Sequence, residues 1–332
     1  MQITRLYIFG MNATQFVRLL LAGSMVFFTA LQADAQKIET HSSFEQVVPG
    51  TTIKFKMIPL KSGSFTLTNK LPAGSTKMEQ KQVSVSSFSI GAYEVTFDEY
   101  DAFFKDESYS RNQTTDAVTR PSPPYIDLTL GMGKEGGYPA NSMSQYGALM
   151  YCRWLYKKTG AFYRLATEAE WEYACRAGSK DSYPFGNDTS LLAKYAWYKS
   201  NSEDKYHKIG LKEPNAWGIY DMLGNIAEWT LDQFDENYFS TIGVSPKDPL
   251  ISPTARHPRT VKGGNYQDMP ADMQNSSRLK SNLDWNRRDP QIPRSRWWNA
   301  DAPFIGFRIV KPDKKPSAVE IEKFFADYLE KF

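Results

Sequence analysis

The segment VKGGNYQD, residues 261–268, carries a Gly-Gly pair between an apolar position and an aromatic, acidic stretch. Glycines in such a position let the backbone approach a neighbouring group closely. The acidic loop MPADMQNSSR follows directly, and IGFR comes later, at residues 305–308. The segment therefore marks a candidate site, whose chemistry depends on the residues around it.

The composition is that of a large, aromatic-rich chain. It has 332 residues, 41% of them hydrophobic, with 40 basic residues against 37 acidic ones. This length suits one big domain or two small ones. Eight Trp, 19 Tyr and 20 Phe, together with 21 Gly and 19 Pro, are typical of a loop-rich domain filled by aromatic rings. Because Lys and Arg are dispersed among acidic residues, we expect no nucleic-acid partner.

The N-terminal stretch has the pattern of an export signal. Arg18 precedes an apolar run at residues 19–31, and Ala33-Asp34-Ala35 matches a cleavage site. The apolar run is short for a membrane anchor, and no second run follows. The sequence therefore predicts a signal peptide at residues 1–35 and an exported bacterial protein, periplasmic or secreted, with no transmembrane anchor.

Four helix starts share the capping-box pattern, in which the first side chain caps a free backbone N–H and the second reaches back to the cap. The pairs are Thr96 with Glu99, Ser142 with Gln145, Thr167 with Glu170 and Ser317 with Glu320. The second helix is predicted over residues 143–159 and the third over 168–177. A hairpin is predicted to turn at Ser62-Gly63 in FKMIPLKSGSFTLTN.

The two cysteines, Cys152 and Cys175, fall on the core-facing stripes of the second and third helices. They could form a disulfide in an exported protein or remain buried as small hydrophobic side chains. The three histidines, His41, His207 and His257, lack metal-ligand spacing, so a non-haem iron role is not expected from them.

The C-terminal segment SAVEIEKFFADYLEKF is predicted to be a separate amphipathic helix at residues 317–332. Its apolar stripe consists of Ile321, Phe324, Phe325, Tyr328, Leu329 and Phe332. This helix is expected to dock on its own domain, on a protein partner or on a second copy. The chain thus divides into a signal peptide (1–35), a lead-in (36–54), a main domain (55–311), a linker (312–316) and this helix.

Four motifs, in order, resemble the sulfatase-modifying-factor family, which includes the formylglycine-generating enzymes. They are YRLATEAEWEYACRAG (163–178), NAWGIYDMLGNIAEWT (215–230), VKGGNY (261–266) and IGFR (305–308). The resemblance implies a single compact α+β domain, similar to a C-type lectin, with little regular secondary structure and long ordered loops. It also explains how the polar stretches 178–260 and 263–304 can hold so many Trp residues.

The resemblance also identifies the family's active-site positions. Catalytic members bind copper through two cysteines and use O₂ to oxidise a substrate cysteine to formylglycine. Those cysteines fall here on Asp268 and Met273, and the family serine falls on Asn265. Copper is therefore not expected, because soft Cu(I) prefers thiolates to one carboxylate and one thioether. The usual disulfide partners of Cys152 and Cys175 fall on Ile309 and Arg278.

A calcium site is implied by the same resemblance. Its ligands would be side chains at Asp221 and Glu228 and backbone carbonyls at Gly224 and Ile226, which are oxygen donors suited to a hard cation. The alternative is that the two carboxylates only hydrogen-bond their loop. The family's other calcium site has its first ligand position on Trp197, which cannot serve as a ligand in that way.

Two readings remain for the loop with Asp268, Asp272 and Arg278. Asp268 could contact a small ligand in the former catalytic cleft, or Arg278 could hold the loop by a salt bridge. Trp297 and Trp298 cannot both point inward on a strand, so one of them is expected to line a cleft.

Two functions are compatible with these residues. The first is a non-catalytic, exported binding or scaffold domain of the cell envelope, as in family members without the cysteines that belong to gliding and secretion machinery. The second is an enzyme of altered active-site chemistry, such as an oxidase acting on a protein or a small substrate. A shared fold does not fix the function, so the missing thiols weigh against catalysis.

Overall fold

The computed structural model describes residues 42–69, 79–109 and 120–331. The predicted signal peptide lies outside the described residues. Within them, no helix is long and apolar enough to cross a membrane.

Strands and helices are short, and loops connect most of them. The strands are β1 Phe44–Val47, β2 Lys54–Leu60, β3 Gly63–Asn69, β4 Glu79–Val85, β5 Phe88–Gly91, β6 Arg164–Leu165, β7 Ala227–Gln233, β8 Arg259–Lys262, β9 Leu279–Lys280, β10 Ile305–Gly306 and β11 Ile309–Pro312. The α-helices are α1 Phe97–Phe104, α2 Gln145–Thr159, α3 Glu168–Arg176, α4 Leu192–Tyr195, α5 Tyr238–Thr241 and α6 Ala318–Leu329. Single 3₁₀ turns lie at Glu107–Tyr109, Thr189–Leu191, Pro270–Asp272 and Leu283–Asn286. This is the predicted α+β class with modest regular structure.

In the described part of the chain the strands form three sheets. A five-stranded antiparallel sheet has the order β1-β2-β5-β11-β6, and β3 with β4 makes a two-stranded ribbon. The third sheet has the order β10-β7-β8-β9 and is parallel only between β10 and β7. Strand β1 lies within the predicted lead-in, where it pairs with β2.

The predicted hairpin at Ser62-Gly63 is wrong. Strands β2 and β3 do flank that turn, but β2 pairs with β1 and β5, while β3 pairs with β4. Both edges of β2 are therefore occupied by other strands, so β3 cannot pair with β2 and lies in a different sheet. Local alternation predicts a strand correctly, but the choice of its partner is made by tertiary contacts.

Three of the four predicted capping boxes are confirmed. In α1, α3 and α6 the cap side chains of Thr96, Thr167 and Ser317 accept from the N3 backbone N–H, and the N3 glutamate returns a bond to the cap. The predicted cap at Ser142 is wrong. Helix α2 is capped by Ser144, whose hydroxyl accepts from Gly147 N, while Ser142 has φ +61° and donates through its hydroxyl to Leu128 O.

Two large buried clusters occupy most of the interior of the described residues, and Tyr206, Ile226 and Tyr266 form a third, smaller one. One surrounds α2 and contains the side chains of Trp154, Trp229 and Phe307; the other surrounds α3 and contains Trp171. Strand β7 is buried along its whole length between them. Polar side chains on β7 therefore have to be satisfied by partners inside the protein.

Helix α6 docks on the domain itself. Ile321, Phe325 and Tyr328 are buried, and the rings of Phe324 and Phe325 lie 5.2 Å and 5.9 Å from that of Phe162. The carboxylate of Glu322 pairs with Arg153 and Lys157 on α2. The apolar face of the predicted amphipathic helix is thus covered within the chain, and a partner contact through this helix remains a prediction.

Candidate functional site

The glycine pair after β8 brings the family's two cysteine positions together. Gly263 and Gly264 have φ of +94° and +68°, where a β-carbon is strained. A β-carbon on Gly264 would lie 2.8 Å from Met273 Cγ and 3.2 Å from Asp268 Oδ2. Asp268 and Met273 therefore flank the same glycine. The group that the backbone at Gly264 approaches closely is the loop that follows it, residues 268–273.

Asp268 closes its own turn. Its Oδ2 accepts hydrogen bonds from the backbone N of Asn265 at 2.9 Å and from Asn265 Nδ2 at 2.7 Å. The backbone N of Asp268 donates in return to Asn265 O at 3.0 Å. Burial raises the pKa of the Asp268 carboxyl, and the charge of Asp272 adds to the rise. Two of the three predicted active-site positions are thus bound to each other.

Met273 is a core residue. It is fully buried, and its Cε lies 2.8 Å from the place that a β-carbon on Gly224 would take. The flexible thioether fills the space between two glycine-containing turns, which is a packing role common for methionine.

Arg278 holds the loop to helix α3. Its guanidinium pairs with Glu168, with Nε 2.5 Å from Oε1 and Nη2 3.1 Å from Oε2. It also lies over the rings of Phe234 and Tyr238, at 4.5 and 4.8 Å from their centroids. The predicted loop-holding salt bridge therefore exists, but its partner is a helix residue rather than Asp268 or Asp272.

Both cysteines are free and buried. Burial raises the pKa of the Cys152 and Cys175 thiols, so neither is a reactive thiolate. The Sγ of Cys175 contacts Asn275 Oδ1 at 3.2 Å. Of the two possibilities that the sequence left open, the structure shows the buried small side chain.

Asp221 occupies a strained position beside the other glycine turn. It has φ +52° and is buried, and its Oδ2 accepts from Gly210 N at 2.7 Å. Its Oδ1 is buried with no hydrogen-bond partner from the protein. Burial raises the pKa of this carboxyl to about 6, against the lowering effect of the Gly210 hydrogen bond and the Arg308 charge. Gly224 follows at φ +73°, where a β-carbon would lie 2.1 Å from Trp197 O.

Glu228 on β7 forms a bidentate ion pair with Arg308. The Arg308 Nη2 lies 2.6 Å from Glu228 Oε1 and the Nε lies 2.7 Å from Oε2, and both side chains are about 1% exposed. Trp171 Nε1 also donates to Oε2 at 2.7 Å. The guanidinium further donates to the carbonyls of Gly91 and Tyr220. Arg308 of the IGFR motif therefore connects β5, β7 and the turn at residues 220–226, called the 220s turn below.

Glu94 joins this cluster, although sequence reasoning did not select it. Its carboxylate accepts from Asn225 Nδ2 at 2.7 Å and from Ile226 N at 3.1 Å. Burial raises its pKa well above the usual range, and the charges of Asp221 and Glu228 raise it further. The signal available in the sequence was an acidic residue in AYEVT next to a strand, which is too common a feature to select one.

Trp197 lies beside the ammonium group of Lys212. Its ring stacks on that of His207 at 3.8 Å, and Lys212 Nζ lies 3.7 Å from its centroid. In the described residues, no group of three or more His, Cys, Asp or Glu side chains is arranged to hold a metal ion. Any cation bound at Asp221 would therefore need backbone carbonyls as well, as the predicted ligand set has it.

Comparison with known proteins identifies the domain. A family model described as the sulfatase-modifying factor enzyme 1-like domain matches residues 44–312. This chain belongs to that family. The sulfatase-modifying-factor domain is 26% identical over 256 residues to the formylglycine-generating enzyme of Bos taurus, covering 64% of this chain and 66% of that protein.

The chain is also similar to a relative named as inactive and to a solved structure. The inactive Cα-formylglycine-generating enzyme 2 of Bos taurus is 25% identical over 265 residues, covering 65% of this chain and 85% of that protein. The solved structure of Treponema denticola variable protein 1 superposes with a TM-score of 0.61 at 22% identity, over 82% of this chain and 100% of that one. The family thus contains proteins named as active and as inactive, and membership alone does not decide catalysis.

Proposed function

We propose that this sulfatase-modifying-factor domain is a non-catalytic binding or scaffold module of the bacterial cell envelope. One observation carries the proposal: the two positions that hold copper thiolates in catalytic members have a carboxylate that closes its own turn and a buried thioether. A carboxylate is a hard oxygen donor, and one buried thioether is a poor substitute for the two thiolates that Cu(I) prefers. The free cysteines are buried elsewhere and cannot substitute.

The alternative function is an enzyme of altered chemistry in the same place. The observation that favours it is the raised pKa of Asp268, which is a half-buried acid of the kind used in proton transfer. Against it stands the engagement of that carboxylate with Asn265. A small ligand near Asp268 remains part of this alternative.

An oxidation assay separates the two functions. The protein is incubated with a copper salt under air, together with a cysteine-containing sulfatase peptide and a thiol reductant, which supplies the two electrons that reduce the second oxygen atom of O₂ to water. The peptide is then analysed by mass spectrometry. The non-catalytic domain leaves the peptide mass unchanged, because no thiolate pair holds the metal. Conversion of the cysteine to an aldehyde by the wild type, lost in Asp268→Ala, would refute the proposal.

We also propose that calcium binds at the 220s turn. The residues fit in one respect: Asp221 Oδ1 is a buried oxygen without a protein partner, and three buried carboxylates face a single guanidinium. They fit less well in another, because Arg308 and Trp171 already occupy both oxygens of Glu228. Calcium would rely on Asp221 and on the carbonyls of Gly224 and Ile226, and would supply only structural stabilisation.

The calcium proposal predicts a chelator effect on stability. A ligand that binds only the folded state stabilises it by mass action, so removing calcium with EGTA should lower the melting temperature and adding it back should restore it. The variant Asp221→Asn should melt at one temperature under both conditions. If the wild type melts identically with and without EGTA, the site does not bind calcium.

Export is part of the proposal, supported by the sequence of residues 18–35. A protein partner or a second copy is the expected ligand of such a module, and copper is not. The module would work by presenting fixed surfaces rather than by turnover.

A further inference from the structure

A small apolar cavity of about 110 Å³ lies between α1 and the segment at residues 124–129. Helix α1 contributes Phe97, Tyr100 and Phe104, the segment contributes Ile126 and Leu128, and Trp298 forms another wall. The polar part of the lining consists of Asp101, Asp127, Thr129, Lys134 and Asn141. Trp297 and Trp298 are both buried and lie outside the described strands, so the expectation that only one of them points inward from a strand is wrong. Trp298 does line this cavity.

The outer wall of the cavity is held in place. Trp298 Nε1 donates to Ser122 O at 2.9 Å, and Arg120 Nη1 donates to Phe104 O at 3.0 Å. Further along, Ser142 Oγ donates to Leu128 O at 3.2 Å. The chain from residue 120 to residue 128, which includes most of this segment, is thus fixed to α1, to Trp298 and to the core. A preformed wall lowers the ordering cost of binding.

Exposed apolar side chains lie in and next to the segment beside the cavity. Tyr125 is 76% exposed, Ile126 38% and Leu130 57%. A single exposed apolar residue is ordinary, but three within six residues beside a cavity form a patch of the kind found at interaction sites. Anchor pockets of protein interfaces have this arrangement of an apolar centre with a surrounding contact surface.

An acidic groove adjoins the cavity. The two share Asp101, and the groove has a volume of about 580 Å³. Its carboxylates are Asp98, Asp101, Asp106, Glu107 and Glu135, and its lysines are Lys105 and Lys158. Asp101 pairs with Lys105 and Lys134, and Asp106 pairs with Lys158. The carboxylates of Asp98, Glu107 and Glu135 have no ion-pair partner among the described residues. Charge complementarity therefore favours a basic partner.

We propose that the cavity and the groove together bind a basic polypeptide segment of a partner protein, with one aliphatic side chain inserted in the cavity. This inference rests on the proposed binding function and names the chemistry of its partner. A volume of 110 Å³ is below the roughly 150 Å³ of a cavity that holds benzene, so a leucine-sized side chain suits it better than a tryptophan. The basic residues on either side would lie along the acidic groove.

A peptide library tests the proposal. Fluorescein-labelled pentapeptides Lys-Lys-X-Lys-Lys are titrated with the full chain and followed by fluorescence anisotropy. Peptides with X = Leu, Ile or Met should bind roughly tenfold to a hundredfold more tightly than those with X = Ser or Asp. Glu-Glu-Leu-Glu-Glu should bind more weakly than its lysine counterpart, and added salt should narrow that difference.

Two variants locate the binding. Ile126→Asp places a charge on the exposed rim and should remove the preference for leucine over serine. Val244→Asp is the matched control, because Val244 is 89% exposed and does not line the cavity. It should leave the preference intact.

Three outcomes would overturn the inference. They are equal binding of all X, a leucine preference that survives Ile126→Asp, and binding of indole or toluene at this cavity with no peptide bound. Failure here leaves the oxidation assay unaffected, whereas peptide oxidation by the wild type would refute the non-catalytic function whatever the library shows. The two proposals therefore fail separately.

Discussion

Replacing Arg308 by leucine is expected to lower the free energy of unfolding by about 3–5 kcal/mol, the usual cost of breaking a buried ion pair. Its guanidinium is the partner of Glu228 and the cation whose charge most lowers the pKa of Glu94 and of Asp221, all of them buried. The variant leaves these carboxylates without compensation. Urea unfolding at pH 7.5, followed by tryptophan fluorescence, measures the loss.

Two comparisons make this test specific. Arg287→Leu removes an exposed arginine that pairs with Asp284, and it should cost less than about 0.5 kcal/mol. Lowering the pH should shrink the Arg308→Leu penalty, because the raised pKa of Glu94 and of Asp221 lets these groups be neutralised by protonation. A loss no greater than that of the control would mean that Arg308 is not the organising cation of the cluster.

Phe325→Ala in α6 is expected to destabilise the protein by about 3–5 kcal/mol, as for other buried aromatic side chains cut to alanine. Phe325 is fully buried and lies against Phe162, and its neighbours Ile321 and Tyr328 are buried as well. Deleting residues 313–332 should lower the free energy of unfolding by at least as much, because it exposes the whole apolar surface on which α6 packs. Thermal or urea unfolding gives the magnitude.

The molecular mass distinguishes docking within the chain from docking on a partner. Because the inner face of α6 contacts its own domain, light scattering should give the same oligomeric state before and after the deletion. Val319→Ala, at a position that is 79% exposed, is the control and should be nearly neutral. A truncation that leaves stability unchanged, or that dissociates an oligomer, would contradict the docking seen here.

Local signals predicted the helices well. A capping box at Thr96, Thr167 or Ser317 depends on residues three positions apart, so the sequence contains the whole interaction. The capping-box prediction failed at Ser142 because Ser144, two residues later, caps the helix. The hydroxyl of Ser142 instead donates a hydrogen bond to Leu128 O. The two patterns cannot be told apart without the tertiary contact.

Long-range pairings could not be predicted from local patterns. Strand β2 pairs with β1 and β5 rather than with β3, which follows it in sequence. Arg308 pairs with Glu228, which lies 80 residues away in sequence. The resemblance supplied the positions of Asp221, Glu228, Asp268 and Met273, but not their surroundings. The hydrogen bonds of Asp268 to Asn265 and the burial of Met273 only become visible in the fold.

The central claim is that the domain does not bind copper at the family's two cysteine positions. The wild type and a variant with both cysteines restored test it. Asp268 and Met273 flank Gly264, so a double variant Asp268→Cys/Met273→Cys would place two thiols in the family positions. Thiolates are the ligands that Cu(I) prefers. The wild type and this variant therefore differ in the property that separates a binding module from a copper oxidase.

Competition for Cu(I) against bicinchoninate under anaerobic conditions measures that property directly. The wild type is expected to take no copper from the chelator, because its two positions hold a turn-closing carboxylate and a buried thioether. The double-cysteine variant is expected to take up about one copper per chain. Stoichiometric Cu(I) binding by the wild type, abolished by Asp268→Ala or Met273→Leu, would contradict the account.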